Sequence, residues 1–209
     1  MQIEGEHIFN GPREEVYMMF RDPDVLASAL PGTQALTKVD DQHYEGTMNV
    51  RIGMVSGAFS GKLEVADEMA PERCTLIVDG RGAPGFAKGT GKVVFTEQAD
   101  GTTLLNYSGD VQIGGTIASV GQRMIDSVSK SMIKTAFDTL DKALEVRLAA
   151  KKGQEMEFKK PTETEFAKEV AKDVSKNWMQ IAEVRMVLYV VPVAIIIAIL
   201  SMVLSKCTR

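Results

Sequence analysis

The residues whose types and spacing come nearest to a chemical site are glycines. In "DGRGAPGFAKGTGK", Asp79 to Lys92, the glycines Gly80, Gly82 and Gly85 fit the G-x-G-x-x-G spacing of a dinucleotide-binding loop. Such a loop needs a helix directly behind it, because the pyrophosphate rests on the N-terminus of that helix. The residues behind this one, "KVVFTEQADGTTLLNYSGDVQI", are rich in Val, Phe, Thr and Tyr around a turn at Ala99-Asp100-Gly101-Thr102, and they predict a hairpin. The cofactor reading therefore falls. A phosphate loop at Gly91-Lys92 falls too, since Phe86 stands where its first glycine belongs and Val93 where a magnesium-binding Ser or Thr is needed.

The remaining candidates for catalysis are few. His7 and His43 fall in strand patterns, and neither has a Cys, Asp or Glu at metal-ligand spacing, so no metal is expected. Glu14-Glu15, Asp22 with Asp24, and Asp40-Asp41 stand at helix starts and turns, where capping accounts for them. There is no G-x-S-x-G elbow, H-E-x-x-H or C-x-x-C. Tyr107, Asp110 and Arg123 form the one neighbourhood in which a cyclase or hydrolase could keep a titratable pair, and their spacing is not diagnostic. The expectation is a binding protein rather than an enzyme. Cys74 falls in a strand pattern and Cys207 close to the C-terminus, so they do not pair, which suits a reducing compartment.

The elements that would position these residues follow from periodicity. Residues 2–10 alternate as a strand. "PREEVYMMF" then opens on proline with two acids in its first turn, and "DPDVLASAL" repeats the device, with Asp22 as cap and Pro31-Gly32 as stop. Two short helices are expected. From Thr33 to Ile113 the pattern is strand and turn throughout, with strands at 33–39, 42–52, 55–69, 73–81, 91–98 and 102–113. A long helix over 116–150 comes next, with Ile117, Val120, Met124, Val128, Met132, Phe137, Leu140, Leu144 and Leu148 on one face.

Charge is divided along the chain behind a net of -4: residues 1–146 carry 13 basic against 21 acidic side chains, and residues 147–209 carry 11 against 7. The acidic head argues against a nucleic-acid partner, and the basic tail suits an anionic membrane surface. Residues 151–184 are a charged linker. In it Thr162 and Glu165 make a capping box, and Phe166, Val170, Val174, Trp178 and Ile181 share a face suited to the membrane interface. At 185–205 the run "MVLYVVPVAIIIAILSMVLS" has twenty residues without charge, from Met186 to Ser205, enough for roughly 30 Å of hydrocarbon. No signal peptide pattern begins the chain. The expectation is a C-terminal single-pass anchor in the cytoplasmic membrane, with the main domain, residues 1–150, facing the cytosol.

Two short helices after a first strand, six further strands and a long helix resemble the helix-grip fold of the polyketide-cyclase and START-like superfamily. That implies an α+β fold in which a curved antiparallel sheet of about seven strands wraps the long helix. Within it, "GPREEVYMMFRDPDVLASALPG", "GRGAPGFAKGTGKVVF" and "GTTLLNYSGDVQIGGTIASVGQRMIDSVSKSMIKTAFDTLDKAL" resemble the G-subunit family of carbon monoxide dehydrogenase. The resemblance implies an accessory protein that partners molybdenum carbon monoxide dehydrogenase. The fold implies an apolar cavity for a small lipophilic ligand between sheet and helix. Its expected lining is Phe20, Leu26, Leu30, Met48, Met54, Phe59, Phe86, Tyr107, Ile117, Val120, Gly121, Met124, Val128 and Met132, with methionines supplying adaptable contacts. Gly82 to Gly91 would form a mobile rim tipped by Pro84 and Phe86. A cavity on a tethered domain suits a quinone, menaquinone or ubiquinone, drawn from the bilayer; a lipid-transfer protein and a pure tether without ligand are the alternatives.

Overall fold

Along each strand, successive side chains point to opposite faces, and one face of the sheet carries the apolar set. Strand β3 (His43–Ile52) buries Tyr44 and Ile52 while exposing Glu45, Thr47 and Asn49. The computed structural model describes residues 1–154 apart from Gly53. Its other strands are β1 (Gln2–Phe9), β2 (Thr33–Lys38), β4 (Val55–Met69), β5 (Arg73–Gly82), β6 (Gly85–Glu97) and β7 (Thr103–Gly114). All neighbours pair antiparallel in one seven-stranded sheet of order β1-β7-β6-β5-β4-β3-β2, so β1 and β2 are its edges.

Helices α1 (Arg13–Arg21) and α2 (Pro23–Ala29) join β1 to β2. Pro12 precedes α1, and Glu14 and Glu15 lie in its first turn, where the helix dipole favours acids. Asp22 caps α2 by accepting hydrogen bonds from the N–H groups of Asp24 and Val25 at 3.0 and 3.3 Å. After β7 comes a 3-10 turn (Thr116–Val120) and then α3 (Gln122–Lys151). The main core joins Phe9, Val16, Met19, Phe95 and Leu105 to Leu140 and Leu144 of α3. Ile52, Phe59, Ile117, Ile125 and Val128 are buried apart from that cluster. Glu15 ties α1 to the end of α3 through Arg147, at 2.8 Å, and Lys151.

Two expectations are corrected. The glycine segment is no rim: β5 and β6 pair without a break from Arg73↔Val94 to Gly82↔Gly85, which leaves only Ala83 and Pro84 as the turn. A ladder is made by backbone groups, so a stretch poor in side chains can pair as fully as an apolar one. Pro84 is buried, and its carbonyl accepts a hydrogen bond from the N–H of Ile117 at 2.9 Å, pinning the turn to the 3-10 segment. The long helix also starts later than its apolar pattern, because Gly121 takes φ +90, which side chains rarely adopt, and separates the 3-10 turn from α3. Among the described residues no helix is long and apolar enough to cross a membrane. The linker expected at 151–184 lies, beyond its first residues, outside the described residues, and so does the anchor expected at 185–205.

Candidate ligand-binding site

The face of the sheet that buries Val65, Cys74 and Val93 is nearly bare at its centre. Gly46, Gly61 and Gly80 stand in register across β3, β4 and β5, with Ala87 of β6 next in the row. A second row runs from Ile3 through Gly109 and Gly91 to Leu76. At Gly61, Gly80 and Gly91 the only heavy atoms within 4 Å of where a Cβ would stand are neighbouring-strand backbone, at 3.6 to 3.7 Å. No atom of α3 comes that close. Val78, on the same face as Cys74 and Leu76, stays 43% exposed. The long helix therefore spans the sheet without filling the space above strands β4 to β6.

Part of the buried stripe of α3 is small and hydroxylated. Ser131, Thr135 and Thr139, one helical turn apart, are all buried on it. The Thr139 hydroxyl donates to the Thr135 carbonyl at 2.8 Å, while Oγ1 of Thr135 has no partner among the described residues. These hydroxyls, unlike leucines, give the middle of the helix little bulk.

At the β1 edge a groove of about 570 Å³ lies between β1, β7 and α3. Ile3, His7, Tyr107, Lys130, Ile133 and Phe137 are among its lining. Nε2 of His7 lies 3.1 and 3.0 Å from the two carboxylate oxygens of Asp141, and its ring stacks on Phe137 with centroids 4.5 Å apart. The Tyr107 ring lies 5.5 Å from that of Phe137, so three rings form one wall. Burial raises the pKa of Tyr107, which keeps its hydroxyl a donor at neutral pH.

Other polar clusters are occupied by one another. On the opposite face, Glu45, Lys62, Asp79 and Lys88 are successive cross-strand partners whose charges alternate and pair. Under α1, Tyr17 donates to Glu68, which also holds Nε of Arg21 at 3.3 Å; burial, then that hydrogen bond, raises the Tyr17 pKa. Burial pushes the Cys74 thiol up to about 11, so it is no nucleophile. Among the described residues no three or more His, Cys, Asp or Glu side chains gather as a metal site would require.

The family model of the carbon monoxide dehydrogenase G subunit (CoxG) matches residues 5–145, all of the sheet but the first residues of β1 and most of α3. The chain belongs to the CoxG family. A conserved protein from Geobacillus kaustophilus is 30% identical, with TM-score 0.66 over 69% of this chain and 95% of that one. A START superfamily protein from Mycobacterium smegmatis (14% identical, TM-score 0.51, 69% and 97% covered) shares the fold. So does the Zhui aromatase/cyclase from Streptomyces sp. R1128 (11%, TM-score 0.55, 72% and 97%). No curated protein matches. The CoxG fold here is thus START-like, with the long helix gripped by the sheet.

Within this CoxG domain the expected cavity residues are dispersed. Phe59, Ile117 and Val128 are buried, and Met48, Val120, Met124 and Met132 are half-buried. Phe20 is half-buried in the main core, edge-on to Phe9 and Phe95 at 6.1 and 5.2 Å. Leu26 is half-buried on α2 and Leu30 exposed at its end. Tyr107 alone of the set lines the β1 groove. Three positions are corrected. Met54, beside the β3–β4 turn, is fully exposed. Phe86 stands on the opposite face from Ala87 and Gly89, lying across Gly114, because strand pairing fixes its parity. Gly121 makes no close approach, with nothing within 4 Å of a Cβ there. Of Tyr107, Asp110 and Arg123, both charged residues are exposed and have no ion pair among the described residues. The floor glycines and His7 were the residues missed, and a signal for the former existed. Within each strand these glycines are separated by even numbers, Gly57 and Gly61, Gly80 and Gly82, Gly89 and Gly91, which puts each pair on one face.

Proposed function

We propose that this chain is a membrane-tethered accessory protein of carbon monoxide dehydrogenase that carries a respiratory quinone in the space between sheet and α3. It performs no reaction of its own; the redox chemistry belongs to the quinone and the partner enzyme. The observation that carries the reading is the glycine floor. A sheet stripped of side chains at Gly61, Gly80 and Gly91, opposed by a helix with small hydroxylated residues, leaves room for an apolar ligand. Half-buried Met48, two residues from Gly46 on the same face of β3, offers an adaptable contact beside it. The CoxG family's name supports the dehydrogenase as partner, and the uncharged run from Met186 to Ser205 supports the anchor, with the domain on the cytosolic side.

The test is direct. The full chain, purified from membranes in detergent, is extracted with solvent and its lipids identified by mass spectrometry. Quinone near one equivalent supports the proposal. An empty domain points to a pure tether, and phospholipid alone points to a lipid-transfer protein.

A further inference from the structure

We propose that the groove between β1 and α3 seats the planar, carbonyl-bearing ring of the ligand, with the Tyr107 hydroxyl donating to one ring oxygen and Lys130 to another. This rests on the reading that a lipophilic ring compound binds the domain. Its location comes from the groove itself.

Four features of the groove fit such a ring. Its wall is aromatic and held in place, because Asp141 fixes His7, and His7 stacks flat on Phe137 at 6° between ring planes. Ile3 and Ile133 add apolar surface. Two donors are unused: the Tyr107 hydroxyl accepts and donates no hydrogen bond among the described residues, and Lys130 has no ion-pair partner among them. Glu4, Asp126 and Asp138 share the mouth with Lys130 and Lys134, so it carries no cationic excess to hold an anionic head, which leaves a neutral ring with acceptor oxygens as the better match.

The register supplies an exit for a tail. Ile3 faces Gly109 across the β1–β7 pair, and Gly109 faces Gly91 across β7–β6. Along this row the sheet itself contributes no side chain between Ile3 and Leu76. The ring would thus sit at the sheet edge and the tail over the glycine floor.

The experiment uses the full chain in detergent micelles with methyl-labelled isoleucines, titrated with a short-tailed naphthoquinone. The expected result is that the largest shifts fall on Ile3 and Ile133, and that Tyr107→Phe weakens binding about three- to tenfold, the usual worth of one neutral hydrogen bond. Ile133→Trp, which fills the groove, should abolish it. Shifts centred on Ile52 and Ile117, with Tyr107→Phe and Ile133→Trp binding normally, would overturn the groove assignment and leave the carrier reading standing. A wild-type chain that binds no quinone would overturn both.

Discussion

The imidazole of His7 on edge strand β1 bears on both carboxylate oxygens of Asp141 on α3, residues 134 positions apart in sequence. This contact fastens the sheet's free edge to the helix. Both side chains are partly exposed, so its worth is modest. Asp141→Ala is expected to lower stability by about 1 kcal/mol in urea denaturation, with no change in the slope of the transition. An unchanged midpoint would show that the edge is held by packing alone.

Gly85 presents the opposite case, a position where any side chain is strained. Its φ is +137, and a Cβ there would run into the carbonyl oxygen of Gly114. Gly85→Ala should therefore destabilise the chain by roughly 1–3 kcal/mol, seen as a lower thermal midpoint. Tolerance of alanine would mean that the β5–β6 turn can shift away from the 3-10 segment.

Glu15 gives a pH signature. The hydrogen bond from Lys151, then that from Arg147, lowers its pKa below the ordinary 4.5. A carboxyl lowered in the folded state stabilises the fold above its unfolded pKa and loses that contribution as pH falls through the folded value. The stability gap between wild type and Glu15→Gln should be present at pH 7 and close progressively below about pH 4.5. A gap independent of pH would contradict the assignment.

Much of this architecture was legible in the chain itself. Asp22 before Pro23, proline ahead of Glu14 and Glu15, and alternation through Tyr44 to Ile52 are local signals, and each element formed where they stood. What escaped was set by pairing across distance. The run around Gly85 to Gly91 carries no apolar alternation, yet its backbone pairs with β5 and β7, which placed Phe86 on the outer face. The buried stripe of α3 includes Ser131, Thr135 and Thr139, which a hydropathy pattern passes over. His7 looked isolated because its acid lies far along the chain on α3.

The glycine floor makes a prediction of its own about stability. If Gly80 is glycine for the sake of a ligand, the fold should not need it, since a Cβ there meets only the Ala87 carbonyl oxygen at 3.6 Å. Gly80→Ala should leave stability unchanged or raise it by about 0.5–1 kcal/mol, through the lower entropy of the unfolded chain. A marked loss in denaturant melts would make the glycine a packing requirement.

The most direct measurement compares solvent extracts of wild type and Gly61→Leu, each purified as the full chain from the same membranes and checked for equal thermal stability. Quinone bound to the wild type and absent from the variant is the predicted result. Equal quinone in both, or none in either, would contradict a ligand held above the glycine floor.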